Sequence, residues 1–355
     1  MTRAIEVPSR VSGSQLAVVH FDGSASEWDQ FMAGQEGSTF CHLSGWRQVM
    51  AEILGHECIY MCAVDRDGRW HGAMPLVRVR SRVFGHFLVS MPFVSYGGPL
   101  GSAEAQARLV DGAVEQARQS GADLLELRAR HRLPGDLRVC ERKVTVLLQL
   151  PASAETLWQE GFPAKLRSQI RRPQKEGMEV RYGVEQALPF YEVYARNMRD
   201  LGTPVLPRAF FERIAHVFAE TAVIGVVYWR DRPVAAGWGF VWGGEFEISW
   251  ASSLREYNRY APNMLLYWSL MEEMIARRVS VFNFGRCTPR GGTHRFKLQW
   301  GGRDVPLPWA QWSRAGVRAT PSPDGPLYRL ATTVWQRIPL AITNRLGPVL
   351  ARCLP

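Results

Sequence analysis

Apolar residues along this 355-residue chain follow two periods. Alternation of period two predicts strands at Cys58–Val64, Trp70–Val79, Asp123–Arg128, Ala222–Trp229, Val234–Trp242 and Glu245–Ala251, with a shorter apolar run from Val279 to Phe284. Turn chemistry separates them: Asp65-Arg66-Asp67-Gly68, Arg230-Asp231-Arg232-Pro233, and Gly243-Gly244 as a two-residue hairpin loop. Helical spacing predicts helices at Glu27–Leu54, Ala103–Gln119, Gln186–Leu201, Arg208–Glu220 and Met264–Arg277. In the last, Met264, Tyr267, Leu270, Met271, Met274 and Ile275 form one face, and Asn263 is placed as the N-cap.

Read for order, these elements repeat. Helix, strand–turn–strand, a loop, a helix and a closing strand occur once before Pro151 and once after it. That order is similar to the one in GNAT-type acyltransferase domains, where the cofactor sits in a splayed sheet just before the helix. The fold this implies is mixed α/β (α+β): two tandem GNAT-like acyl-CoA N-acyltransferase domains with a central cleft, a usual place for a ligand. The expected domains are 1–150, 151–312 and a basic-apolar helical tail over 313–355.

Composition narrows the class. With 46% apolar and 21% charged residues the chain is a folded, soluble one. Its six cysteines are scattered, without zinc spacing or a disulfide framework, and no metal site is expected. The N-terminal stretch lacks a continuous apolar core and no run approaches a membrane span, so the expected location is the cytoplasm. A net charge of +10, from 43 Lys+Arg against 33 Asp+Glu, favours anionic partners without choosing among phosphates, nucleic acid and acidic membranes. In the tail, Trp335, Ile338, Leu340, Ile342, Leu346, Val349 and Leu350 interleave with Arg337, Arg345 and Arg352. Two readings stand: an interfacial helix at the inner face of an anionic membrane, or a helix docked on the protein, favoured because Pro339 and Pro348 break a long amphipathic helix.

Three segments carry candidate chemistry. In FNFGRCTPRGGTHRFKLQWGG (282–302) a short strand enters a glycine-rich loop, and Arg286, Arg290, His294, Arg295 and Lys297 are expected to face one spot, with Phe296 and Trp300 between them. Arg286 suits a phosphate or carboxylate clamp, or else a strand-end arginine paired to an acid; His294 suits a proton shuttle only beside a placed partner. In FPAKLRSQIRRPQKEGMEV (162–180) Arg167, Arg171 and Lys175 fall on one helical stripe that Pro173 interrupts or kinks, giving either a phosphate or RNA contact or a solvated linker helix. Gly97 and Gly98 of SYGGPLGS precede the first-half helix, and Tyr257, Asn258 and Tyr260 occupy the corresponding loop of the second half, where the glycines of a pyrophosphate loop are missing. A lone Cys287 is more often a buried apolar residue than a nucleophile.

The segment AKLRSQIRRPQKEGMEV resembles the R-x-x-I-R-x-x-x-K-x-G stretch that opens the second domain of FemAB-like proteins. FNFGRCTPRGGTHRFKLQWGG resembles that family's F-D-F-G-R-S-T … G-T-x-x-F-K-x-x-W-G motif, and SYGGPLGS its glycine loop. The branch most similar is the one accompanying exosortase/PEP-CTERM and exopolysaccharide systems. The resemblance implies transfer of an aminoacyl or acyl group to an amine of a cell-envelope or exopolysaccharide precursor, from aminoacyl-tRNA or acyl-CoA, with no permanently bound cofactor. It implies that Lys297 sits at the donor phosphate or the developing oxyanion, with Arg286 beside it. Contacts to substrate are expected from Tyr257, Asn258, Tyr260, Asn263, Gly97, Gly98, Arg167, Arg171, His294 and Trp300. Asn283 and Cys287 stand where the branch usually has Asp and Ser.

Overall fold

The computed structural model describes residues 16–314 and 326–354; residues 1–15, 315–325 and 355, which include the start of the expected first domain and part of the expected tail, lie outside them. Contacts divide the chain into two units, one of residues 1–143, 306–321 and 352–355, the other of residues 144–305 and 322–351.

The first unit contains β1 (Ala17–His20), α1 (Ala25–Ala33), α2 (Gly45–Gln48), β2 (Glu57–Val64), β3 (Trp70–Ser81), β4 (Gly85–Val89), the two-residue β5 (Leu100–Gly101), α3 (Ala103–Gln119), β6 (Leu124–Leu127) and the start of β7 (Arg138–Gln149). Its strands run β1-β2-β3-β4-β6, and β6 pairs with the end of a late strand, β13 (Arg303–Ser313). All pairs are antiparallel except β4 with β6. Alternate residues of β2 and β3 face opposite ways: Met61, Ala63, Met74 and Leu76 pack with Leu109 and Ala113 of α3, while Tyr60, Cys62 and Ala73 pack with Trp28 and Met32 of α1. A sheet covered on both faces explains why these strands read as nearly unbroken apolar runs.

The second unit holds the rest of β7, α4 (Ala154–Thr156), α5 (Ala164–Lys175), β8 (Glu179–Tyr182), α6 (Ala187–Leu201), α7 (Arg208–Val217), β9 (Ala222–Trp229), β10 (Arg232–Trp242), β11 (Glu245–Ser253), α8 (Pro262–Ala276), β12 (Val281–Cys287), α9 (Gly292–Leu298), α10 (Pro326–Arg337) and α11 (Leu340–Ala351). Its sheet runs β7-β12-β11-β10-β9-β8, antiparallel except for β11 with β12. On one face Phe190 of α6 packs on Trp238, Phe211 of α7 packs on Trp238 and Trp250, and Tyr194 of α6 packs on Phe211. On the other, α8 is buried on most sides, and α5 packs on it.

Several expectations need correction. The helix predicted over Glu27–Leu54 is broken: α1 stops at Gly34, and Gly37, with φ +78°, turns the chain before α2. Pro173 neither ends nor splits α5, because it lies in the last turn and removes one backbone donor there. Asn263 is not the N-cap of α8. The helix begins one residue earlier, at Pro262, whose fixed φ suits the first helical position, with Ala261 left-handed at φ +56° as the cap. β7 and β13 were not predicted. Pro306 and Pro308 argue against a strand, and the pairing of β13 with β6 runs over Ala310–Ser313, beyond both.

Candidate functional site

β11 and β12 lie side by side for three rungs only, Glu245↔Val281, Phe246↔Phe282 and Glu247↔Asn283. Beyond these no rung joins them, although β11 continues to Ser253 and β12 to Cys287. At this point β12 carries an irregularity opposite β7, between Asn283 and Arg286. The fully buried Asn283 side chain makes the turn: its Oδ1 accepts from the Thr145 hydroxyl at 2.5 Å and from the Gly285 amide at 2.8 Å, and its Nδ2 donates to Glu245 at 2.7 Å. Gly285 has φ +70°, and a Cβ there would come 2.7 Å from the Ile248 carbonyl oxygen, so only glycine fits.

Lys297 closes this turn from α9. It is 4% exposed, and its ammonium donates to the carbonyls of Gly285 at 2.6 Å and Arg286 at 3.1 Å. Arg286 is half-buried. Burial pushes the hydroxyl pKa of Tyr194 up, nearby Tyr191 adds to the shift, and the charge of Arg286 opposes it. Glu247, 2% exposed, brings a carboxylate oxygen to 3.9 Å from the place a Gly285 Cβ would take. On β11, the buried Ser252 hydroxyl accepts from Asn197 of α6 at 3.1 Å. Two cations and a buried carboxylate thus gather around one backbone turn that only glycine allows, an arrangement suited to holding an anion and moving a proton.

The five cations expected to share a spot separate instead. The segment after Gly291 is a helix, so His294 and Lys297 point inward while Arg290 and Arg295 are exposed. His294 is pinned on both sides: its Nδ1 accepts from the Arg290 amide at 3.0 Å, which leaves Nε2 to donate to Asp304 at 2.8 Å. Both ring nitrogens are therefore engaged in holding the loop. Trp300 is fully buried against Phe162 and Tyr267.

The remaining candidates lie elsewhere. Tyr257 and Tyr260, half-buried in the 3₁₀ turn Arg255–Tyr260, pack on the Trp229 ring at 5.7 and 5.0 Å. Asn258 is exposed and accepts from Ser253; Asn263 is half-buried in the first turn of α8. Arg167 donates to the carbonyls of Trp158, Gln159 and Phe162 at 3.0–3.1 Å, tying down the chain before its own helix. Arg171 is exposed, 5.1 Å from the Trp158 ring centroid. Gly97 and Gly98 are in the first unit, where an added Cβ would meet Met91 Cβ at 2.6 Å and Ala129 Cα at 2.8 Å.

Residues 162–298 match the family model of the acetyltransferase (GNAT) domain. The matched range contains the β11–β12 gap, the turn before α8, and Lys297. No curated protein matches this chain in sequence. Among solved structures it is similar to FemX, with a TM-score of 0.63 at 14% identity over 88% of this chain and 99% of that one. It is also similar to the C-terminal domain of a protein assigned as a lysylphosphatidylglycerol synthetase from Agrobacterium fabrum (TM-score 0.55, 14% identity, 82% of this chain and 92% of that one). A tandem GNAT protein from the clavulanic acid biosynthesis pathway gives a TM-score of 0.52 at 12% identity, over 84% and 98%. The fold is thus mixed α/β, with a GNAT domain in its second half and an overall likeness to tandem GNAT proteins.

Sequence reasoning had passed over Tyr194, Asn197, Glu247, Ser252 and Thr145. Glu247 falls on the polar side of the period-two pattern Phe246–Trp250, so its burial leaves no local mark in the sequence. The others become visible only when α6 and β7 are placed beside β11 and β12.

Proposed function

We propose that the second unit is a FemAB-like transferase that moves an aminoacyl or acyl group onto an amine of a cell-envelope or exopolysaccharide precursor, with no covalent enzyme intermediate. The observation that carries this is the gathering of Arg286, Lys297 and Glu247 around the Gly285 turn, at the gap between β11 and β12 of a GNAT domain. The one thiol on β12, Cys287, is 6% exposed and part of the core, so the arrangement favours direct aminolysis.

In that reaction the acceptor nitrogen attacks the donor carbonyl, the C–N bond forms, and the carbonyl oxygen becomes an oxyanion facing the cations. The ammonium proton passes to Glu247, the oxyanion collapses as the C–O or C–S bond to the carrier breaks, and Glu247 returns the proton to the departing oxygen or sulfur. Arg286 grips the donor phosphate. Lys297 acts through the Gly285 and Arg286 carbonyls it holds, as well as by its charge.

An aminoacyl ester is favoured as donor over acyl-CoA. A GNAT pyrophosphate cradle uses amide N–H groups at the helix N-terminus, and here Pro262 has none and Tyr257 and Tyr260 are packed on Trp229. Likeness to a fold associated with lysylphosphatidylglycerol, a lipid carrying an aminoacyl group, supports the same choice. The second reading, an acyl-CoA-dependent N-acyltransferase, draws on the acetyltransferase family match.

Competition of a fluorescent charged tRNA against uncharged tRNA and acyl-CoA, at one fixed ionic strength, decides between them, because a chain of charge +10 binds any polyanion at low salt. Preference for the charged form is expected. Displacement by acyl-CoA alone establishes the second reading, and failure of both donors to support transfer points to a non-catalytic scaffold.

A further inference from the structure

The two C-terminal helices each pack on α6 and leave an apolar stripe facing outward. Their buried positions are small: Thr343, Gly347 and Ala351 of α11 face inward. Contact is close enough that a Cβ on Gly347 would lie 2.9 Å from the Val205 amide nitrogen, and one on Gly202 would lie 2.2 Å from Thr332 of α10. Several large apolar residues point to solvent, while Trp335, Ile338, Leu340 and Leu350 are half-buried. Leu330 and Val334 of α10, and Ile342, Leu346 and Val349 of α11, are between 47% and 62% exposed. Within each helix these lie at i, i+4 and i+7 spacing, one stripe per helix, with exposed Arg337 completing the stripe of α10.

Charge identifies what covers this face. Exposed Arg329, Arg337 and Arg345 border the stripes, and residues 326–354 contain no Asp or Glu. A second copy of the same face would set arginines against arginines with no acid to offset them. An anionic surface of low polarity satisfies both features. Each helix has 12 residues, about 18 Å at 1.5 Å per residue, too short to cross a bilayer but suited to lying in its headgroup layer. Among the described residues no helix is long and apolar enough to span a membrane.

We infer that α10 and α11 seat the protein on an anionic lipid bilayer, with the Leu330–Val334 and Ile342–Leu346–Val349 stripes inserted and the arginines at the headgroups. Docking and membrane contact are then two faces of one device. The inner face of small residues fixes the hairpin to the second unit, and the outer face meets lipid.

The test is flotation of the full chain with phosphatidylcholine vesicles containing or lacking phosphatidylglycerol, at near-physiological salt. The parent should float only with the anionic vesicles. A variant carrying Leu330→Ser, Val334→Ser, Leu346→Ser and Val349→Ser keeps every charge, and its partition coefficient should fall by about tenfold or more. An unchanged melting temperature shows that the hairpin still folds. The inference is overturned if the parent does not float, or if the serine variant binds as well as the parent, which would reduce the contact to bulk polyanion attraction. It is also overturned if light scattering shows a dimer that the same substitutions dissolve, since the face then meets a second copy.

Discussion

Each unit contains one parallel strand pair, each pair has three rungs, and each reaches a buried glutamate at its third rung: Val89↔Glu126 in the first unit, Glu247↔Asn283 in the second. Beyond the third rung the two units diverge. In the first unit the gap is filled by Arg128, 3% exposed, which donates to Glu126 at 2.9 Å and to the carbonyls of Met91 and Val94 at 3.0 Å, under the Trp309 ring. Gln311 takes the other oxygen of Glu126 at 2.8 Å. In the second unit the cation after the third rung, Arg286, stays half-buried, and Lys297 fixes the backbone on which it stands. The residues after the third rung therefore differ: an arginine buried against the glutamate in one copy, a half-buried arginine on a lysine-held turn in the other. Chemistry belongs to the side chains at the gap, not to the fold that makes it.

Removing the cation from each copy tests this most directly. Arg128→Ala leaves Glu126 buried without its partner and should cost about 3–5 kcal/mol of stability, read from the urea midpoint. Arg286→Ala should stay within about 1 kcal/mol of the parent in the same assay and lower the transfer rate by about a hundredfold or more. Equal losses of stability in both variants would abolish the distinction, because Arg286 would then be as structural as Arg128.

The two units also differ in how they hold their buried histidines. In the first unit, burial lowers the ring pKa of His42 from 6.5 to about 4, and does the same to His56. His42 is held neutral between the Thr39 amide, which donates to Nδ1, and the Gly98 carbonyl, which accepts from Nε2. A base whose pKa is depressed by folding takes up its proton more readily when unfolded. Stability is therefore full above pH 6.5 and drains as pH falls toward 4, by a few kcal/mol per histidine. Buried His294 in the second unit is instead paired with Asp304. Calorimetry across that interval should show the melting temperature falling with pH, and His42→Gln should flatten part of the slope. A slope unchanged by that substitution would assign the acid sensitivity to other groups.

Much of this architecture was legible from the sequence, because strands with period-two turns between them and helices with a capped start leave local marks. The predicted strand Ala222–Trp229 and helix Ala103–Gln119 coincide with β9 and α3. The site was legible only in part. Lys297 and Arg286 stood out by motif, but their meeting depends on a helix, α9, that the glycine-rich, basic-aromatic segment does not announce. Glu247 and Ser252 lie on a strand whose apolar neighbours hide them, and Thr145 lies on β7, which its position after a long irregular stretch conceals. The features that escape are consistently long-range: which strand borders which, and so which polar atoms share a gap.

The smallest expected effect sharpens the comparison at a single rung. Where the first unit sets apolar Val89 opposite its glutamate, the second has Asn283. Its amide is used at both ends, accepting from Thr145 and Gly285 and donating to Glu245. Asn283→Asp keeps the shape and the acceptor but replaces the donor with an oxygen 2.7 Å from the Glu245 carboxylate. Two carboxylates at that distance do not both ionise, so the new carboxyl should titrate above the ordinary aspartate range of about 3.9. An acid whose pKa rises on folding stabilises the folded state only while protonated. The variant should match the parent at low pH and lose about 1–3 kcal/mol as pH rises toward neutrality. That slope is opposite in sign to the one set by His42 and His56, so urea denaturation at two pH values distinguishes them. A variant as stable as the parent at pH 7 would show that Glu245 swings away, and that the amide at this rung is not what holds the turn at Gly285.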